Sequence, residues 1–180
     1  TNTWWRVLIT TICTAGIFVG NFIAFFMMST EQIEEVYKSM SDVPNNVSLI
    51  MNLSPFVLLL GLLFLLVRNI HNRSVLSLTT SRNKIDYKRI LFSFSLVVFL
   101  TIVVFVATFF IDHSNIVWNF NLLKFSLLFL ISVVLFPFQI GLEEYLFRGY
   151  LMQQIGILVK NRWFPFLFTS VVFGLFHSAN

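Results

Sequence analysis

The sequence predicts an all-α protein, a polytopic transmembrane helical bundle with about five spans. Three observations carry this. Of its 180 residues, 57% are hydrophobic, including 23 phenylalanines, and only 11% are charged, against about 25% in a typical soluble domain. The mean hydropathy is +0.85, and the apolar residues fall in runs close to the roughly 20 residues that cross a bilayer. The charges gather between those runs, and Trp4, Trp5, Trp118 and Trp163 stand at run ends, as interfacial anchors do.

Residues 6–28 form the first span. The run exceeds the apolar core of a cleaved signal peptide, about 7–15 residues, and is read as a retained helix. Cys13 lies inside it with no second cysteine to pair with, and reads as a small core residue. Residues 29–46 are polar. Ser29-x-x-Gln32 has the form of a capping box, and Ile33, Val36, Tyr37 and Met40 follow helical spacing, so a short amphipathic helix on the outer surface is expected. Residues 47–67 form the second span, with Pro55 as a kink site. The segment 68–89 sets Arg68, Arg73, Arg82, Lys84, Lys88 and Arg89 against Asp86. By the positive-inside rule this loop, and with it the N-terminus, is cytoplasmic. Attraction to anionic headgroups follows. A loop this short supplies no folded basic surface, so the net charge of +4 does not point to nucleic acid. Residues 90–111 are the third span, and 112–119, with Asp112 and His113 but no Lys or Arg, are external. The composition fits an AT-rich genome, and a multi-pass protein of the bacterial plasma membrane is expected.

The fourth span covers 118–140, with Lys124 snorkelling from it. Its apolar pattern continues nearly to Val159. A single helix of that length would measure about 60 Å, twice a bilayer core. A break is therefore expected at Pro137, Gly141, Gly149 or Gly156. This makes 142–159 a separate helix beginning near the cytoplasmic edge. Lys160-Asn161-Arg162 turns the chain into a fifth span, 163–180. With no internal repeat, 1–180 reads as one membrane domain, and a transporter built on inverted repeats is disfavoured.

Two stretches of this greasy chain carry chemistry: Glu143-Glu144-Tyr145-Leu146-Phe147-Arg148 and Phe173-Gly174-Leu175-Phe176-His177. Ionisable groups at membrane depth are costly and mark function. On a helix Glu144 and Arg148 share a face and can pair. Glu143 points about 100° away and is the freer carboxylate. Glu143 with His177, from another helix, could hold and deprotonate a water for amide hydrolysis. Phe173, one turn before His177, could pack on the imidazole, and Asn180 follows on the same face. Zinc is the rival chemistry, since Glu143, Glu144 and His177 are permissible ligands; the His-Glu-x-x-His signature is absent. No serine or cysteine is coupled to the histidine. The structural alternative makes Glu144–Arg148 a buried pair that fixes packing and His177 a bonded core residue.

These residues resemble the CAAX protease and bacteriocin-processing (Abi) family. Its Glu-Glu-x-x-x-Arg motif is matched by Glu143, Glu144 and Arg148, and its Phe-x-x-x-His motif by Phe173 and His177. The resemblance implies an intramembrane glutamate-type endopeptidase without a cofactor, acting on a peptide or membrane-protein substrate. Glu143 and His177 would activate water, with Glu144 and Arg148 in support. The family's third motif, a later His followed by Asn or Asp, is unmatched. Asn180 is a candidate stand-in, and the chain reads as truncated before its last helices. The alternative from a different class is a non-catalytic bacteriocin self-immunity or membrane-partner binding protein of the same fold.

Overall fold

The computed structural model describes residues 3–41, 44–111, 119–161 and 163–177. Among them there are helices and turns and no strand. In chain order the helices are α1 (Trp4–Met27), α2 (Thr30–Ser41), α3 (Asn45–Asn69), the single-turn α4 (Leu76–Thr79), α5 (Tyr87–Ile111), α6 (Leu122–Glu144), a π-helical segment (Tyr145–Leu151), α7 (Met152–Val159) and α8 (Trp163–His177). Among the described residues three helices are long and apolar enough to cross a membrane: Asn45–Asn69, Tyr87–Ile111 and the continuous Leu122–Val159. Chains in lipid must satisfy their backbone internally, which is why Val- and Ile-rich α5 is helical despite its β propensity.

The short polar segments obey local rules. The Ser29 N–H donates to Gln32 Oε1 at 3.0 Å, and the Gln32 N–H to Ser29 Oγ at 3.4 Å, the reciprocal pair of a capping box that opens α2. Asn121 accepts from the Lys124 N–H at 3.0 Å and starts α6 at Leu122. The expected external loop, with Asp112, His113 and Trp118, lies outside the described residues, except for Asn119.

The largest departure from expectation is at 122–159. The chain does not break at Pro137 or at any of the glycines. α6, the π-helical segment and α7 form one 38-residue helix, about 57 Å long at 1.5 Å per residue. The helix carries a widened turn: the Met152 N–H reaches back five residues to Phe147 O. A π turn accommodates an extra residue while the helix continues through it, which suits a backbone that finds no water in lipid. The separate motif helix at 142–159 is thereby corrected.

Packing concentrates around this long helix. α3 lies along α6 and also touches α1. The buried core is Val7 and Ala15 of α1, Leu60, Leu63 and Val67 of α3, Leu78 of α4, and Leu142, Leu146 and Tyr150 of the long helix. Lipid is as apolar as leucine, so contact here depends on close fit rather than on escape from water. Gly141 provides such a fit: a Cβ there would meet Leu60 Cδ2 at 3.2 Å. α5 buries none of its residues. Cys13, expected in the core, is exposed on α1, whose inward stripe is Val7, Thr10 and Thr14.

Candidate active site

The continuous helix decides where the two motifs meet. Val159 ends α7, Lys160 takes a left-handed backbone (φ 54°), and Asn161 Oδ1 accepts the Trp163 N–H at 2.8 Å to open α8. α8 therefore runs back along α7 and the π-helical segment. Counting from the turn, Glu143 stands about 24 Å up one arm and His177 about 21 Å up the other, at 1.5 Å per residue. By this count the two motifs lie at comparable distances from the turn. Glu143 therefore lies within the continuous helix instead of near the start of a separate one.

Aromatic rings join the arms. Phe147 meets Phe173 edge-on with centroids 5.3 Å apart, and Phe173 lies 4.3 Å from the His177 ring. The His177 Nδ1–H donates to Phe173 O at 2.8 Å. A carbonyl only accepts, so the proton of the neutral ring sits on Nδ1 and Nε2 keeps its lone pair. Beside these rings is a pocket of about 360 Å³ lined by Glu143, Glu144, Phe147, Arg148, Met152, Phe166, Thr169, Ser170 and Phe173.

The carboxylates differ as their phases on the helix require. Glu144 Oε2 pairs with Arg148 Nη1 at 3.0 Å. Glu143 Oε1 instead accepts from Gln139 Nε2 at 3.2 Å, a neutral partner one turn earlier. Among the described residues the Glu144–Arg148 pair is not enclosed: the Glu144 and Arg148 side chains are 45% and 73% exposed, and His177 is exposed. His177 makes no hydrogen bond to Glu143 or Glu144, and no three His, Cys, Asp or Glu side chains among the described residues gather to hold a metal ion. Asn180 lies outside the described residues.

A second polar cluster, which sequence reading did not identify, sits on the opposite flank of the motif helix. Beyond α3, Asn72 takes a left-handed backbone (φ 51°), and the 71–80 segment folds onto the π-helical turn. Buried His71 Nε2 lies 2.9 Å from the Tyr150 hydroxyl and 3.2 Å from Thr10 Oγ1. Burial, then the charges of Arg6 and Arg73, hold its pKa below the usual imidazole value of 6.5. Thr79 Oγ1 lies 3.0 Å from the Tyr145 hydroxyl, and Arg73 Nη2 donates to Gln153 Oε1 at 2.8 Å. Gly149 makes the docking possible, since a Cβ would stand 3.0 Å from Leu78 O. The sequence signal was available: a histidine and a left-handed-tolerant asparagine directly follow a span, facing a motif helix with Tyr145, Gly149, Gln153 and Gln154 at one- and two-turn spacing.

Residues 122–180 match the family described as type II CAAX prenyl endopeptidase, Rce1-like. The chain is also 36% identical over 118 residues to the uncharacterized protein YyaK of Bacillus subtilis (strain 168). That alignment takes in 65% of this chain and 40% of the relative. No solved structure matches. The resemblance read from the Glu-Glu-x-x-x-Arg and Phe-x-x-x-His motifs thus stands over the segment that builds the hairpin.

Proposed function

We propose, from the premise that residues 122–180 match the Rce1-like type II CAAX prenyl endopeptidase family, that this chain carries the catalytic hairpin of an intramembrane endopeptidase. The observation that supports it best is that Glu143 and Phe173, whose ring packs against His177, line one pocket between antiparallel arms. Glu143, held by a neutral amide, serves as the general base toward a water molecule. His177, with its Nδ1 proton committed to Phe173 O, offers Nε2 as a second acceptor for the same water. Arg148 balances the charge of Glu144 and leaves Glu143 as the reactive carboxylate. The hydroxide attacks the scissile carbonyl, and the proton passes to the leaving amine. The substrate is a peptide or membrane protein whose backbone enters beside Phe147, Phe166 and Phe173. The reaction as proposed needs no metal.

The test is cleavage of a membrane-peptide panel by the purified full-length gene product in detergent, with and without chelator. Glu143→Gln and His177→Ala are each expected to slow cleavage by about a hundredfold or more at unchanged expression, and chelator to leave the rate alone. Chelator sensitivity would move the chemistry to a metalloprotease. If nothing is cut and both variants still protect cells from a bacteriocin, the non-catalytic immunity reading replaces this one.

A further inference from the structure

We propose that the cleft between the 73–83 segment and the motif helix is a binding site for a phosphate group, anchored by Arg73. The cleft has a volume of about 700 Å³ and is lined by Arg73, Gln153 and a run of hydroxyls that includes Ser74, Ser77, Thr79 and Thr80. It lies on the flank of the motif helix away from Phe147 and Phe173, and shares no lining residue with the pocket at Glu143.

The charge arrangement singles out Arg73. Arg73 and Arg82 line the cleft, and Asp86 is the one carboxylate of the 68–89 segment. Asp86 pairs with Arg82 at 2.9 Å and with Arg89 at 3.1 Å. Arg73 has no carboxylate partner among the described residues. It is half-buried and held by one hydrogen bond, from Nη2 to the Gln153 amide oxygen. A guanidinium withdrawn from water is stable when an anion meets it. Gln153 fixes the plane of the fork without neutralising it, and four of the five N–H donors remain for a ligand. A tetrahedral phosphate suits such a fork bidentately, and neighbouring hydroxyls donate to its other oxygens. The Ser74 and Ser81 hydroxyls make no hydrogen bond among the described residues, so they are available for this.

The position fits a phosphate source on either side of the membrane boundary. The cleft falls between the end of α3 at Asn69 and the start of α5 at Tyr87, two of the helices able to span a membrane. An anionic lipid headgroup reaches it from the bilayer, and a soluble phosphate compound reaches it from the aqueous side.

Binding to the full chain in nonionic detergent tests this, with two probes: inorganic phosphate, against chloride at equal ionic strength, and phosphatidylglycerol, counted by native mass spectrometry. The informative variant is Gln153→Glu, which supplies Arg73 with an internal carboxylate and should keep the fold intact. Arg73→Gln is the second variant, and Lys84→Gln controls for loose surface charge. The expected result is at least tenfold weaker binding in Gln153→Glu and Arg73→Gln and an unchanged constant in Lys84→Gln. Binding of phosphatidylglycerol alone identifies a headgroup site, and binding of inorganic phosphate alone identifies a soluble ligand. Failure of the wild type to bind either probe, or equal binding in Gln153→Glu, overturns the proposal and leaves the endopeptidase reading untouched.

Discussion

Gln154 is fully buried, and neither its amide nitrogen nor its amide oxygen has a hydrogen-bond partner among the described residues. Leaving such a group unsatisfied costs about 1–3 kcal/mol. Gln154→Met conserves volume and removes the polar atoms, so it should raise thermal stability by that order, read by tryptophan fluorescence during heating in detergent. His71 behaves differently because it titrates. The unfolded chain takes up its proton near the ordinary value of 6.5, while the folded protein resists. Folding therefore loses stability as pH falls below about 6.5 and through the lowered folded pKa. Unfolding followed from pH 8 to pH 5 should show this slope, and His71→Asn should reduce it. Neither residue stood out in the sequence. Apolar periodicity reports which face is buried, but it does not show which polar side chains are carried in with it. Glu143, Glu144 and Arg148 were legible for the opposite reason: a charge in an apolar run is visible without any tertiary contact.

At the scale of elements, two glycines that look alike in sequence differ in what opposes them. A Cβ at Gly141 meets the end of a flexible leucine side chain, whereas one at Gly149 meets the backbone carbonyl of Leu78. Gly141→Ala should be nearly neutral, since the helix-propensity gain of about 1 kcal/mol offsets a small shift of Leu60. Gly149→Val should lift α4 off the motif helix and cost about 1–3 kcal/mol. Limited proteolysis of the 74–83 segment would report the release. The long helices were legible because uninterrupted hydropathy in lipid has one solution. The continuity of 122–159 was not. Proline and glycine lower helix stability, but in a membrane every broken backbone hydrogen bond costs more than a strained turn. Inferring a break from length alone therefore moved Glu143 away from its partner helix.

For the molecule as a whole, asymmetry of charge is the feature that hydropathy leaves intact. Arg73, Arg82, Lys84, Lys88 and Arg89 gather at one end of α3 and α5, together with Arg6 at the start of α1. From the positive-inside rule we propose that this end faces the cytoplasm. With Cys13→Ser as background, Lys84→Cys should react with a membrane-impermeant maleimide only after the cells are permeabilised. Labelling in intact cells would invert the topology. The fold class and the two motifs were legible at this scale, whereas the pairing of arms across the turn at Lys160 and Asn161 required the length of the uninterrupted helix.

The π-helical turn has a consequence for lineage. It works as a spacer of one residue between two surfaces that must both stay in phase: upstream Glu143 and Gln139, downstream Tyr150, Gln153 and the docked 71–80 segment. Its seven residues, at the wider π step, turn through about the angle of six at the α step, so the segment holds one residue more than the phase between the two surfaces needs. Deleting a single residue from Tyr145–Leu151 would restore ordinary α geometry and leave both surfaces in phase, whereas an insertion there would swing the upstream side chains by about 100° and carry the carboxylates out of the pocket. Descendants of the gene can therefore lose one residue from this stretch, but not gain one.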